Sequence, residues 1–193
     1  MRTRLIVATA AGYLLGSVPV ARTIARRHGI DDLRDVGDRN PGAWNTMELL
    51  GTSAALPVFV GDTAKGVAAA GLGRAIVGGW WAPYVTGGAA LVGHAYPFTD
   101  GFRGGRSVLT FVGTGLVASP RAAAVSVAVA TAVWAGTRRF DVAARAGVAS
   151  FPVVQLAAEG PRRTAATGVL MTFVGFRFAL AALEGRPTDD RAS

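Results

Sequence analysis

Cysteine is absent from the 193 residues, which excludes disulfide bonds and thiol catalysis by these residues. Charged residues are also few, at 17% of the sequence, against roughly 25% in an ordinary soluble domain. Hydrophobic residues make up 51%, and the mean hydropathy is +0.37. This balance favours a membrane protein, and the length leaves room for one domain or one compact bundle.

Lysine is nearly absent as well, because Lys65 is the only lysine and all other basic residues are arginines. The net charge of +8 is compatible with a nucleic acid, an anionic lipid or an anionic substrate as partner. No aromatic-rich basic sheet, zinc knuckle or recognition-helix pattern occurs, so no nucleic acid partner is expected. No Ser-His-Asp set and no metal-ligand cluster is evident, and the sequence predicts neither a metal nor a cofactor.

Long uncharged runs alternate with short polar stretches and predict an all-α, polytopic membrane helix bundle. We expect about seven helices, at residues 4–27, 51–74, 78–97, 107–118, 121–137, 141–158 and 163–184. They would form a single integral-membrane domain over residues 1–185, followed by a polar C-terminal tail at 186–193. The first run resembles a signal peptide, but the later runs also need a membrane and favour a retained helix. A soluble alanine-rich helical protein is the alternative.

The arginines predict an orientation for this bundle. An odd number of helices places the polar loops and the C-terminal tail on one side of the membrane and the N-terminus on the other. Arginine is more frequent on the loop side, which makes that side cytoplasmic by the positive-inside rule. We therefore expect a multi-pass membrane protein with its functional loops in the cytoplasm.

Residues 93–110 concentrate polar side chains between two apolar runs. Arg103 and Arg106 flank the pair Gly104-Gly105, which puts two cationic side chains around backbone small enough for an anion to reach its N–H groups. His94 stands at the start of the segment. The pattern is typical of a phosphate-binding loop, here at the mouth of a membrane-embedded site.

An earlier polar loop lies within residues 28–48. Its Asn40, Gly42 and Asn45 offer amide donors and close backbone access to a polar ligand. The alternative is a purely structural loop in which Asn45 caps the next helix, with Glu48 as its capping-box partner.

Two charged residues interrupt the second apolar run. Asp62 and Lys65 are three residues apart and therefore share one helix face. An ion pair in an apolar membrane helix is costly, so by default it faces a cavity and marks function. On the first helix, Gly12, Gly16 and Ser17 share a face and would let another helix approach closely.

In order and spacing, these motifs resemble the PlsY family of bacterial acyl-phosphate:glycerol-3-phosphate acyltransferases. The resemblance covers about residues 12–110. The shared motifs are Gly16-Ser17-x-Pro19, Gly37-x-x-Asn40-x-Gly42-Ala43-x-Asn45, Asp62-x-x-Lys65-Gly66, Gly93-His94-x-x-Pro97 and Phe102-Arg103-Gly104-Gly105-Arg106, with Thr110 in register. The resemblance implies a seven-helix inner-membrane protein. It would transfer a fatty acyl group from acyl phosphate to the 1-hydroxyl of glycerol 3-phosphate, giving lysophosphatidic acid. Its implied partners are these two substrates and membrane lipid, and no pattern indicates an oligomeric state.

Both polar loops depart from the family's pattern. The family's first loop usually reads G-S-G-N, whereas Asp38 and Arg39 replace the serine and the second glycine here. We expect Asp38 to repel a phosphate unless Arg39 neutralises it. The second loop usually reads F-K-G-G-K-G, whereas this chain has arginine at both lysine positions and Ser107 in place of the last glycine. Arginine is not a neutral exchange for lysine, because its planar fork binds phosphate differently.

The family's third motif is not intact in this chain. It carries a histidine and an asparagine upstream of a glycine, and alignment on Gly185 puts Gly175 and Phe178 at those two places. Arg177 and Glu184 are the only polar candidates nearby. For Arg177, a functional role and simple snorkelling towards water are both compatible with the sequence.

The resemblance assigns catalysis to Lys65, His94 and Arg106. The residues expected to bind substrate are Ser17, Asn40, Gly42, Asn45, Asp62, Arg103, Gly104, Gly105 and Thr110. The second loop would hold one phosphate, while Lys65 and Asn45 would help position the other. His94 would orient the second loop or shuttle a proton, or it would simply bond to backbone at a helix end. The alternative function is a catalytically degraded relative that binds phosphate esters or lipid headgroups without turnover, or an enzyme for another acceptor.

Overall fold

The computed structural model describes residues 1–184, and the tail predicted at 186–193 lies outside the described residues. The described part contains nine α-helices and no strand. They are α1 (Arg2–Gly16), α2 (Val20–Arg27), α3 (Ala43–Leu50), α4 (Thr52–Leu72), α5 (Ala82–Ala95), α6 (Val108–Ala118), α7 (Pro120–Thr137), α8 (Phe140–Glu159) and α9 (Pro161–Glu184). The predicted all-helical bundle is confirmed.

All seven predicted helical segments are present, and two details differ. The first segment is divided into α1 and α2, because Pro19 has no N–H to continue the hydrogen-bond ladder and its ψ of 70° is not helical. The short helix α3 is additional and begins after Gly42, which is extended at φ −149°. The alternative in which Asn45 caps the next helix is therefore wrong, because Asn45 lies inside α3.

Glycines set how closely the central helices approach. A methyl group at Gly16 of α1 would clash with the carbonyl oxygen of Ala90 in α5, and one at Gly12 would lie 2.5 Å from the carbonyl oxygen of Thr86. In the same way, Gly66 of α4 lies against the backbone of Thr110 in α6, and Gly113 of α6 lies against the backbone of Thr63 in α4. The predicted small-residue face of the first helix is confirmed, and it brings α1 into backbone contact with the helix that carries His94.

Helices α7 and α8 form a hairpin that packs against α6 and α9. At the end of the bundle away from the polar loops, a buried network joins these helices to α5. Its hydroxyl, amide and charged groups come from Tyr84, Ser119, Gln155, Glu159 and Arg163. The network therefore ties α8 and α9 to α5 at that end of the bundle.

The outer surface of the bundle is apolar. Two segments, Arg2–Arg27 and Pro161–Leu183, are long and apolar enough to cross a membrane. Large hydrophobic side chains on the outward faces are more than half exposed, among them Ile6, Leu56, Val60, Val153 and Val169. Such a surface suits a lipid environment rather than water.

Candidate active site

A buried ion pair lies at the centre of the bundle. On α4, Lys65 Nζ donates a hydrogen bond to Asp62 Oδ1 at 2.7 Å, and 7% and 3% of the two side chains are exposed. His94, in the last turn of α5, places its Nδ1 3.7 Å from the same Asp62 oxygen. The carboxylate therefore lies between an ammonium group and an imidazole ring. The three-residue spacing predicted the contact with Lys65, whereas the proximity of His94 is shown only by the fold.

The Gly104-Gly105 turn of the second loop packs on the C-terminal end of α5. The Gly104 N–H donates to the carbonyl oxygen of Ala95 at 2.9 Å, and the Gly105 N–H donates to that of His94 at 3.2 Å. These two amides are occupied, so the expectation that an anion reaches them directly is wrong for this arrangement. Glycine is required for another reason: a methyl group at Gly105 would lie 2.6 Å from His94 Nε2.

Arg177 of α9 holds the opposite side of this turn. Its Nη2 donates to the carbonyl oxygen of Gly104 at 3.1 Å and its Nε to that of Gly105 at 3.4 Å. The guanidinium also lies over the ring of Tyr96, 4.7 Å from the centroid. Arg177 is therefore a loop anchor, which decides between the two roles that the sequence left open.

The first loop is organised by Asn45 from within α3. Its Nδ2 donates to the carbonyl oxygens of Leu33 and Val36, and its Oδ1 accepts the N–H of Asp38 at 3.1 Å. The side chain is fully buried. Because all its polar atoms bond to the loop's own backbone, Asn45 shapes the loop rather than presenting donors to a ligand.

Three of the chain's departures from the family pattern touch one another. Arg106 Nη1 donates to Asp38 Oδ2 at 3.0 Å, and the guanidinium lies over the ring of Phe178, 4.9 Å from its centroid. The Asp38 charge is thus neutralised by Arg106 of the other loop and not by Arg39, the residue that the sequence offered for this role. Arg39 is exposed.

Ion pairs join the two polar loops on their outer side. Asp100 of the second loop is bonded by Arg22 and lies 3.3 Å from Nη2 of Arg34, and Arg34 Nη1 donates to the carbonyl oxygen of Arg103 at 2.9 Å. Side-chain hydrogen bonds from Arg34 hold the pKa of Asp32 below its ordinary value. The contacts of Arg22 and Arg34 with Asp100 therefore hold the loops together by charge-assisted hydrogen bonds.

A cavity of about 820 Å³ begins at the polar loops and extends between α6 and the α7–α8 hairpin. Its polar end is lined by Asp38, Asn40, Gly42, Asp62, His94 and Arg106. The remainder is lined mainly by apolar side chains, including Val112 and Leu116 of α6, Ala123 and Ala130 of α7, and Phe151 of α8. Its volume lies within the range of about 300–1,000 Å³ that is typical of ligand pockets.

A second, smaller cavity of about 30 Å³ is lined by Lys65, Gly104 and Gly105, together with Asp62 and His94, which also line the large one. Eight of the twelve predicted site residues line one cavity or both: Asn40, Gly42, Asp62, Lys65, His94, Gly104, Gly105 and Arg106.

The four other predicted site residues line neither of these two cavities. Ser17 is buried and donates to the carbonyl oxygen of Tyr13 at 2.9 Å. Thr110 is buried and donates to that of Asp62 at 3.2 Å, which ties α6 to α4. Asn45 supports the first loop, and the Arg103 side chain is exposed. The structure therefore places these residues around the site rather than within it.

Sequence reasoning missed the apolar cavity and the contacts that α9 makes with the second loop. Small residues on facing helices, such as Ala130 of α7 and Gly147 of α8, were the available signal for a groove, since both line the cavity. The sequence indicated Phe178 only as a replacement within the third motif, and Arg177 only as a polar residue close to it. Their contacts with Arg106 and the Gly104-Gly105 turn required the fold.

A membrane helix bundle with a long apolar cavity that ends at an arginine and a buried ionic cluster is typical of an enzyme acting on an amphiphile with an anionic head. The comparisons make this class specific. The family model described as glycerol-3-phosphate acyltransferase matches residues 6–183. The chain belongs to the glycerol-3-phosphate acyltransferase family.

Relatives in this family are close in sequence. The chain is 40% identical over 148 residues to the glycerol-3-phosphate acyltransferase of Desulforudis audaxviator. This alignment covers 77% of this chain and 74% of the relative. It is 42% identical over 109 residues to that of Rubrobacter xylanophilus, covering 56% of this chain. The matched segment spans about half the length of the Rubrobacter relative, 54%.

Two crystal structures of PlsY, an integral membrane glycerol 3-phosphate acyltransferase, share the fold. The glycerol 3-phosphate form matches with a TM-score of 0.79 and 30% identity, and the lysophosphatidic acid form with 0.76 and 28%. Each match covers 94% of this chain and 93% of the solved chain. The predicted family and membrane fold are thereby confirmed, and the chain is an integral membrane protein.

Proposed function

We propose that this chain transfers a fatty acyl group from acyl phosphate to glycerol 3-phosphate, producing lysophosphatidic acid and inorganic phosphate. The observation that carries the proposal is the 820 Å³ apolar cavity whose polar end is lined by Arg106, Asp62 and His94. In this arrangement the acyl chain fills the apolar part of the cavity, and the phosphate of the donor lies against Arg106.

The reaction requires a single acyl transfer. The 1-hydroxyl oxygen of glycerol 3-phosphate attacks the acyl carbonyl carbon, the carbonyl carbon–oxygen bond to phosphate breaks, and phosphate leaves with the electron pair. The hydroxyl proton passes to a base, a role that we assign to His94. Asp62 lies beside the His94 ring and would stabilise the imidazolium that forms.

Glycerol 3-phosphate would bind on the Lys65 side of the Asp62–His94 pair, where the small cavity lies. A volume of about 30 Å³ has room for one or two water molecules only. Binding therefore requires the Gly104-Gly105 turn to move away from α5, which would expose the Lys65 ammonium to the acceptor phosphate. Arg177 would set how far the turn moves.

An assay of purified protein in detergent tests this function directly. With radiolabelled glycerol 3-phosphate and a long-chain acyl phosphate, we expect lysophosphatidic acid and inorganic phosphate in equal amounts. Arg106→Ala should lower the rate strongly, whereas Arg26→Ala, an exposed arginine on α2, should not. A folded preparation that binds phosphate esters without forming product would establish the degraded-relative alternative, and product with a different polyol phosphate only would establish another acceptor.

We also propose that the site faces the cytoplasm from the cell's inner membrane, since arginine predominates at the end of the bundle that carries the polar loops. The absence of cysteine permits labelling without background. In intact spheroplasts, a membrane-impermeant maleimide should label Arg162→Cys, at the start of α9, but should label Asp31→Cys, in the first loop, only after permeabilisation. The reverse pattern would place the site outside.

A further inference from the structure

Arg106 is fixed on two sides by residues that come from different parts of the chain. Its Nη1 is bonded to the Asp38 carboxylate at 3.0 Å, and one face of its guanidinium rests on Phe178. A hydrogen bond at one nitrogen and a ring against one face together define the plane and the direction of the guanidinium. A lysine ammonium at this position would have no plane to fix.

The Asp38 carboxylate is itself held in place by the first loop. Its Oδ1 accepts the N–H of Asn40 at 3.0 Å, and the Asp38 N–H donates to Asn45 Oδ1 at 3.1 Å. Its position is therefore set by its own loop and not by attraction to Arg106 alone. The loop presents a carboxylate oxygen to Arg106 as a fixed hydrogen-bond acceptor.

The Nε side of Arg106 is left without a protein partner. Within residues 1–184, Arg106 Nε is buried and has no hydrogen-bond acceptor, and Arg106 lines the polar end of the large cavity. A buried N–H without an acceptor is costly, and such groups are rare in folded proteins. Nε is covered in this arrangement while other atoms of Arg106 line the cavity, so a ligand phosphate supplies the missing acceptor only after a small shift of the guanidinium or of the atoms that cover Nε.

We infer that Asp38 and Phe178 are positioning residues that hold the Arg106 guanidinium so that its Nε side binds the phosphate of the acyl donor through two parallel hydrogen bonds. The inference rests on the proposed function, because the large cavity is taken as the acyl site. Arginine binds phosphate in this forked geometry, whereas lysine acts as a point charge. Asp38, which the sequence suggested would repel phosphate, is thus part of the device that binds it.

This assignment makes Asp38 and Arg106 a coupled pair of replacements for the family's serine and lysine. Arginine without Asp38 loses its orientation, and Asp38 without arginine leaves a carboxylate next to the donor phosphate. With serine at position 38 and lysine at position 106, there is no guanidinium plane to orient and no carboxylate charge to neutralise. The two exchanges should therefore be harmful singly and tolerated together.

A double-mutant cycle tests the coupling. For Asp38→Ser and for Arg106→Lys, we expect the KM for acyl phosphate to rise and kcat/KM to fall by about tenfold or more, with the KM for glycerol 3-phosphate unchanged. The double variant should return to within about threefold of the wild-type kcat/KM. Phe178→Leu, which keeps the apolar contact but removes the aromatic face, should raise the KM for acyl phosphate by a few fold.

Asp31→Ser and Arg26→Lys provide matched controls, since both residues are exposed and lie on the same side of the bundle. Neither should change either KM. Thermal unfolding of every variant separates loss of positioning from loss of fold. Losses that multiply in the double variant, to about a hundredfold, or a Asp38→Ser variant as active as the wild type, would overturn the inference.

A binding measurement separates this inference from the proposed function. Inorganic phosphate is titrated into the wild type and the three variants of the cycle, and the expected pattern is the same: weaker binding in each single variant and recovery in the double. A wild type that makes no lysophosphatidic acid overturns the proposed function. Additive phosphate-binding losses overturn the positioning of Arg106, whether or not turnover occurs.

Discussion

Two single residues carry backbone strain at positions where the family pattern has glycine. Arg39 has a φ of 58° and Ser107 a φ of 63°, and both lie in the left-handed region that side chains with a Cβ rarely adopt. Ser107 compensates by a buried hydrogen bond to the carbonyl oxygen of Leu91 at 2.8 Å. The loop geometry is therefore kept although the glycine is lost.

Arg39→Gly should relieve this strain without removing a buried contact. We expect Arg39→Gly to be more stable than Arg39→Ala by about 1 kcal/mol, because alanine keeps the unfavourable left-handed conformation and glycine does not. Unfolding of the two variants in the same detergent measures the difference. Equal stability would show that residue 39 does not hold a left-handed conformation in the folded protein.

The Asp62–Lys65 pair predicts an asymmetry between single and double substitutions. Lys65→Met should destabilise the protein by about 3 kcal/mol, because it leaves the buried Asp62 carboxylate without its ammonium partner. The double variant Asp62→Asn/Lys65→Met should recover part of this loss, since neither charge is then buried. Unfolding free energies test this, and a double variant less stable than the single one would contradict it.

At the scale of elements, the sequence predicted the helices because apolar runs are local patterns. It predicted the buried Asp62–Lys65 pair because a three-residue spacing on a helix is also local. The role of Asn45 was not readable, because its partners Leu33 and Val36 lie in a loop whose path depends on tertiary contacts. The same holds for Arg106 and Phe178, which are 72 positions apart along the chain. Composition cannot show that α9 returns to the second loop.

The contact between α1 and α5 should depend on Gly16. Gly16→Ala would place a methyl group into the Ala90 carbonyl and should cost about 1–3 kcal/mol, or more if the helices separate. Gly168→Ala on α9 is the matched control, since no atom lies within 4 Å of its added methyl group. It should be neutral or up to about 1 kcal/mol stabilising. Thermal or denaturant unfolding distinguishes the two.

Arg177→Ala tests whether the hydrogen bonds from α9 to the second loop restrain the Gly104-Gly105 turn. Loss of the bonds to the Gly104 and Gly105 carbonyls should lower kcat by about tenfold or more and speed amide exchange at residues 104 and 105. Arg177→Lys, which keeps the charge but not the two-pronged geometry, should recover little of this loss. Unchanged exchange in Arg177→Ala would show that the turn is held by its bonds to α5 alone.

At the scale of the whole molecule, the bundle separates an ionic end from an apolar interior. The cavity joins the two, and its depth between α6 and the α7–α8 hairpin should limit the acyl chain. Ala123 lies near the far end of the cavity, in the first turns of α7. In the proposed function, lining residues of this kind would act on acyl-chain length and not on the chemistry.

Ala123→Leu should shorten the preferred acyl chain. We expect kcat/KM for the longest acyl phosphates to fall by about tenfold or more, because one added side chain removes space worth several methylene groups, while the shortest donors are unaffected. Val169→Leu, on the exposed face of α9, is the control for added bulk. Activity across a series of donor lengths measures the effect, and a uniform loss at all lengths would contradict it.

The same cavity has side walls that are partly open. Val127, Trp134 and Val148 line it and are each more than 40% exposed, so the groove reaches the outer face of the bundle that contacts lipid. An amphiphile can therefore enter and leave sideways, with its tail remaining in hydrocarbon throughout. A product made here would join the surrounding leaflet directly, and its apolar tail would not have to pass through water between synthesis and its next use.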